Sequence, residues 1–435
     1  MGIFILSELF TGESAKSKVS RIIENIEKAG AESLLVSTLD TIAWIFNIRG
    51  NDVIYNPVAV AYAYISRKET VLFINPEKLS NEIQEYLASE GITILGYDNI
   101  YDFTSKIKTS VCLDSSKTTL SLYNAIPLEN RILDILSPAD LMKSIKNETE
   151  INGFKEAMKR DGVALVKFFM WLEKAVPKGE VTEYNIGTKL VEYRSQQTNF
   201  AGESFGTIAG YAANGAINHY HPHPDTCLEV KPEGFLLIDS GAQYLDGTTD
   251  ITRTVAVGRI SNEMKKDYTL VLKGHIGLVS AVFPEGTRGS QIDILARKAM
   301  WENGINFLHG TGHGIGHYLN VHEGPHSIRL EENPIPIHVG MITSNEPGIY
   351  RDNKYGVRIE NLMLTKEHLS TEFGKFYAFE TISLCPIDTI PIIKEMLSDE
   401  EITWLNNYHK TVYERLSPLL SREEEQWLRS RTYPL

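Results

Sequence analysis

Residues 239–254 read Asp-Ser-Gly-Ala-Gln-Tyr-Leu-Asp-Gly-Thr-Thr-Asp-Ile-Thr-Arg-Thr. The apolar run Phe235 to Ile238 leads into this stretch and Val255 to Val257 leads out of it. Two strands joined by a short turn are therefore expected, each with an aspartate on apolar ground. Asp239 and Asp250 are 11 positions apart. A turn centred on Tyr244-Leu245 would set them face to face. A turn centred on Asp246-Gly247, the usual Asp-Gly signal, would offset them by four residues, about 13 Å at strand rise. Bringing the two acids together then requires a longer loop that holds Tyr244 to Asp246.

The same anomaly recurs twice downstream. Glu346 stands in Ile-Thr-Ser-Asn-Glu-Pro-Gly and Glu360 in Val-Arg-Ile-Glu-Asn. A buried carboxylate without a partner is costly and normally avoided. One could be matched by an arginine, but four in strand contexts call for cations. Two divalent ions would balance them, and His313 would add a nitrogen donor. A carboxylate-rich set favours hard or borderline ions, with manganese first and zinc or cobalt as alternatives. Arg358 and Glu360 are two apart, so a strand puts both on one face and Arg358 could orient an acid.

Histidine supports this placement. All twelve lie between His219 and His409, and five of them between His309 and His326. Imidazole chemistry therefore belongs to the later part of the chain. His221, His223, His317 and His326 receive no role.

Three motifs imitate other chemistries. Gly202-Glu203-Ser204-Phe205-Gly206 has nucleophile-elbow spacing, but Ser195 to Asn199 before it do not read as the buried strand an elbow needs. A glycine-rich loop is expected there. His322-Glu323-Gly324-Pro325-His326 has zinc-helix spacing, but Gly324-Pro325 would break the helix that must carry both histidines. The run Gly310 to Gly316 lacks dinucleotide-loop spacing and a strong strand before it.

The chain has 435 residues, room for two or three domains. It carries 56 acidic and 43 basic residues, a net −13. This balance argues against tracking nucleic-acid phosphates or an anionic membrane surface. No run approaches the ~18 apolar residues of a membrane span, and the short apolar start lacks the basic flank of a signal peptide. Cys112, Cys227 and Cys385 are too few and too scattered for a disulfide framework, which suits a reducing cytoplasm.

The first third alternates helix and strand patterns. Helices are expected at 17–29 and 78–90, and strands at 33–37, 70–74 and 111–114, which suggests an α/β domain. Ser137-Pro138 and the charged stretch 143–150 read as a linker. An amphipathic helix follows from Ile151 to about Val176, stopped by Pro177 and Gly179. Strands are expected at 235–240, 249–257, 341–345, 357–364 and 376–385. Helices are expected at 262–282, 291–303 and across 398–427.

The stretch 239–254 is joined by His-Gly-Thr-Gly-His-Gly-Ile-Gly-His at 309–317 and Val-His-Glu-Gly-Pro at 321–325. Ser-Asn-Glu-Pro-Gly-Ile-Tyr follows at 344–350 and Val-Arg-Ile-Glu-Asn at 357–361. Together these resemble the pita-bread metallopeptidases, and among them the cytosolic Xaa-Pro aminopeptidases. Asp40 to Trp44, Arg49-Gly50 and Asn56-Pro57 resemble the middle domain of that family. The resemblance implies an α/β (α+β) chain. Residues 1–143 would form a creatinase/prolidase-type domain, and 144–435 a pita-bread catalytic domain with a C-terminal helical extension. Three-domain members carry a further α/β domain before the residues with which this chain begins, and the resemblance implies that it is missing here.

The resemblance also implies roles. Asp239, Asp250, His313, Glu346 and Glu360 would hold two metal ions, Asp250 and Glu360 bridging them, and metal-activated water would attack the scissile carbonyl. Glu346 would carry a proton to the leaving proline nitrogen. His219 and His322 would act in catalysis and, with His309, Tyr350 and Arg358, contact the substrate. A cytoplasmic homodimer acting on peptides with proline second is expected. Alternatives are a prolidase, which takes Xaa-Pro dipeptides only, and a peptide-binding relative without catalysis.

Overall fold

The structure, a computed structural model, describes residues 2–435. The chain divides into two compact units, 1–150 and 151–435, against an expected boundary after residue 143. The division falls in the first turn of helix Glu148–Ala175. Pro138–Ser144 is also helical, not linker. Proline at the first helical position removes an amide that would be unbonded anyway, so Ser137-Pro138 marks a helix start.

The first unit is built on a six-stranded mixed sheet. Its order is Ile92–Leu95, Thr70–Ile74, Ala61–Ser66, Ser33–Val36, Val111–Leu113, Ile132–Asp134. Thr70–Ile74 is buried throughout, consistent with a continuous apolar run covered on both faces. Helix Ala15–Ala29 starts at the Ser14 cap and ends at Gly30 in the left-handed region, φ 92°. It buries Ala15, Lys18, Val19, Ile22 and Ile26, one stripe at helical spacing. Lys18 is the exception in that stripe. Its ammonium donates to Trp44 O at 2.8 Å and to Asn47 Oδ1 at 2.6 Å. Burial holds its pKa down to about 8. Two further buried groups are paired: Lys143 with Asp40 at 2.7 Å, and Asp140 with Lys117 at 2.6 Å.

The second unit carries a six-stranded antiparallel sheet. Its order is Val282–Pro284, Gly374–Thr381, Asn361–Thr371, Ile342–Asn345, Gly312–Gly314, Glu323–Ile328. A three-stranded sheet orders Ile208–Tyr211, Phe235–Ser240 and Ile251–Ala256. Ala242–Tyr244 extends the hairpin and pairs with Phe200–Glu203. Helices Asn262–Val279 and Gly289–Trp301 bury apolar faces, and the C-terminal helices are Asp399–Leu416 and Arg422–Arg431. Among the described residues no helix is long and apolar enough to cross a membrane, and the three cysteines are free thiols.

Several expectations on local structure are corrected. Phe200–Glu203 is a strand leading to Ser204, not a glycine-rich loop. Ser204 is nevertheless buried, and its hydroxyl donates to Thr249 O at 2.9 Å. The expected strand 357–364 is two strands, Tyr355–Arg358 and Asn361–Thr371, parted at Ile359-Glu360. The break lets the Glu360 amide donate to Thr252 O at 3.1 Å. The rejection of a zinc helix stands: Glu323–Ile328 is a strand, so His322 and His326 do not share a helix.

Candidate metal centre

Neither turn considered for the hairpin occurs. Ser240 pairs with Ile251 and Gln243 with Thr248, which puts the turn at Leu245-Asp246. Asp239 therefore faces Thr252, and Asp250 is offset by two residues, about 7 Å along the strand. An offset of two keeps the face, so both carboxylates point the same way without the long loop. Gly247 is not a turn glycine. A Cβ there would lie 3.1 Å from Phe154 Cα, so its smallness admits the helix behind the hairpin. Asp246 is bonded to Arg160.

The other three residues arrive from separate strands. His313 is central in Gly312–Gly314, Glu346 follows Ile342–Asn345, and Glu360 precedes Asn361–Thr371. Each offers an atom to one cavity of about 560 Å³, together with Asp239 and Asp250. Asp250, His313 and Glu360 present donor atoms all within 4.8 Å of one another. His313 Nε2 is 3.5 Å from Asp250 Oδ2 and 3.4 Å from Glu346 Oε1. His313 Nδ1 lies 3.0 Å from Gly314 O, where an Nδ1–H would leave Nε2 free as a ligand.

Electrostatics make the set costly as it stands. Burial raises the Asp239 carboxyl, with Arg358 opposing. Burial pushes Glu346 up to about 7 and Glu360 well above the carboxylate range, the neighbouring acids adding to it. For His313, burial disfavours charge, but Asp250 and Glu346 outweigh it and lift the ring to about 9. Arg358 donates to Asp239 Oδ2 at 2.6 Å. Asp239 Oδ1 is buried and accepts no hydrogen bond. An orphaned carboxylate oxygen and three more acids on one imidazole fit divalent cations, which would reverse each of these penalties.

The remaining expected residues also meet at this cavity. His219, His309, His322 and Arg358 line it. Tyr350 joins through its hydroxyl, 2.9 Å from His309 Nε2 and 2.8 Å from Arg358 Nη1. The His322 ring packs edge-on to His313, centroids 4.2 Å apart. Burial pulls both His309 and His322 down to about 4, so they are neutral at neutral pH. Burial lifts Tyr350 to about 12. Of the unassigned histidines, His221 lines the cavity, His223 is exposed, and His317 and His326 are buried.

Sequence reasoning missed four contributors. Thr252 donates to Glu360 Oε2 at 2.7 Å and accepts from Arg358 Nε. Ser344 accepts the His313 amide at 2.9 Å and donates to Glu346 at 3.2 Å. Each stands in a strand two positions from an acid just beyond that strand's end, so period-two reading could have found them. Phe205 and Ile208 supply apolar wall, and only the fold reveals them.

Comparison with known proteins agrees with this geometry. Residues 152–367 match metallopeptidase family M24, 1–150 the creatinase/prolidase N-terminal domain, and 375–435 the C-terminal region of peptidase M24. The probable Xaa-Pro aminopeptidase P of Coprinopsis cinerea is 42% identical, over 100% of this chain and 73% of its own length. Xaa-Pro aminopeptidase 1 of Dictyostelium discoideum is 40% identical, over 100% and 71%. Among solved structures, X-prolyl aminopeptidase from Caenorhabditis elegans, named as a cytosolic enzyme with a di-nuclear active site, superposes with a TM-score of 0.95. It is 35% identical, over 100% of this chain and 73% of that one. The chain belongs to metallopeptidase family M24, among its Xaa-Pro aminopeptidases.

Proposed function

We propose that this protein is a metal-dependent aminopeptidase that removes an N-terminal residue when proline follows. The observation that carries the reading is the convergence of Asp239, Asp250, His313, Glu346 and Glu360 on one cavity from separate strands. These five would hold two divalent ions, manganese being our choice for so oxygen-rich a set. Bound there, the ions would supply Lewis-acid polarisation and an acidic water.

The chain's own residues do the rest. Arg358 holds Asp239 by one nitrogen and Tyr350 by another, which fixes both. Thr252 orients Glu360, and Ser344 orients Glu346 against His313. Glu346, with Oε1 held by Ser344, passes a proton to the departing proline nitrogen. His219 and His322, at the cavity rim, donate to oxygen as charge builds on the scissile carbonyl. His309, Tyr350 and Arg358 form a continuous hydrogen-bonded wall that orients the peptide. The reading includes a cytoplasmic homodimer, supported by the family resemblance.

Manganese-reconstituted protein is assayed on an Xaa-Pro-Xaa tripeptide and an Xaa-Pro dipeptide, with Asp250→Ala as control. Metal-dependent release of the first residue from the tripeptide is expected. Activity on the dipeptide alone would replace the reading with prolidase. Two bound metals with neither activity would leave a peptide-binding relative.

A further inference from the structure

The wall residue His309 sets its ring Nδ1 2.8 Å from Gly310 O, and its backbone is held from outside the cavity as well. Helix Gly289–Trp301 carries Asp293 and Arg297 one turn apart, and neither lines the cavity. Both are buried and paired, Arg297 Nε to Asp293 Oδ2 at 2.5 Å. A buried ion pair is weak evidence of stabilisation in itself, because desolvation offsets most of the attraction. What this pair grips is more informative.

Arg297 Nη1 donates to Phe307 O at 2.5 Å and Nη2 to His309 O at 3.0 Å. Its guanidinium lies 3.8 Å from the centre of the Phe307 ring, and that ring lies 4.8 Å from the His309 ring. Asp293 Oδ1 accepts from the Thr311 hydroxyl at 2.5 Å. The pair thus grips residues 307, 309 and 311 on either side of Gly310. The guanidinium spreads its donors over three nitrogens and so meets a carboxylate and two carbonyls at separate points; an ammonium gathers its three donors on one nitrogen and would have to draw all three acceptors to one centre.

We infer that the Asp293–Arg297 pair positions His309, fixing the backbone of 307–311 so that the imidazole meets the Tyr350 hydroxyl. Arg297 is a positioning residue, acting through His309 from outside the cavity. This rests on the reading of His309 as a substrate contact.

A double-mutant cycle tests it on the full-length, metal-loaded protein with the tripeptide: wild type, Arg297→Lys, His309→Ala and the double variant. Arg297→Lys is expected to lower kcat/KM by about 10- to 100-fold, the effect of ångström-scale misplacement, with wild-type metal content. In the His309→Ala background the same change should add less than about 3-fold, because the group it positions is gone. Equal losses in both backgrounds, or none in wild type, would overturn the inference while leaving the reading of His309 intact. A silent His309→Ala would remove that reading and the inference with it. If Arg297→Lys does not fold, Thr311→Val replaces it in the cycle. Thr311→Ser, which keeps the hydroxyl, should then restore activity; failure to restore it counts against the brace.

Discussion

The first unit and the candidate metal centre of the second bury charge in opposite ways. In the first, Lys143 meets Asp40, Asp140 meets Lys117, and Lys18 rests on a carbonyl and an amide oxygen. Each buried charge there has its answer within the chain. In the second, four carboxylates converge and one arginine is bonded to one of them. A balanced buried charge reads as architecture. An unbalanced cluster reads as a place for something the chain does not itself supply.

The strongest way to break this contrast is Asp250→Asn. Activity on the tripeptide should fall by about three orders of magnitude or more if, as proposed, Asp250 is one of the metal ligands. In chelator-treated protein the same variant should melt no lower than wild type, and higher if repulsion dominates. One like charge has left a crowded, buried site. A lower melting temperature in the metal-free state would show that the carboxylates are architectural after all.

Lys18→Met sharpens the other side. The folded-state pKa, about 8, lies below the ordinary 10.5, so the unfolded chain binds more protons between those values. Wild-type stability should therefore gain from this group as pH rises from 8 to 10.5, by roughly 3 kcal/mol. The variant should lack that gain. Denaturant midpoints at several pH values measure the difference, and parallel profiles would refute it.

The smallest effect expected is from Ser344→Ala. The serine orients Glu346 and His313 without belonging to the five. Metal affinity by titration calorimetry should weaken about 10- to 100-fold, typical of outer-shell partners. An unchanged affinity would show that the strands alone suffice.

The four acids in apolar strand contexts were legible in the sequence because burying them has a known cost, whereas the roles of His219, His309, His322 and Tyr350 came only with the family resemblance; the cavity gathers all of these except Tyr350, which reaches it through His309 and Arg358. The hairpin register was not legible. Asp246-Gly247 imitates a turn signal, yet the aspartate is bonded to Arg160 and the glycine is small because a helix lies against it. Both causes are tertiary, so local propensity cannot reveal them. The break at Ile359-Glu360 is of the same kind, since it serves a hydrogen bond to Thr252, 108 positions earlier. Phe205 and Ile208 carry no polar signature, and nothing in their spacing distinguishes cavity wall from core.

The five residues of the centre are drawn from 122 positions, and 110 separate Asp250 from Glu360. At about 5–20 residues per second of synthesis, the last carboxylate leaves the ribosome roughly 5 to 20 seconds after its strand-hairpin counterpart. Until Asn361–Thr371 pairs with Ile342–Asn345, Glu360 has no fixed position beside Asp250. A half-made chain therefore holds half a site, and the full donor set exists only once these two strands have paired.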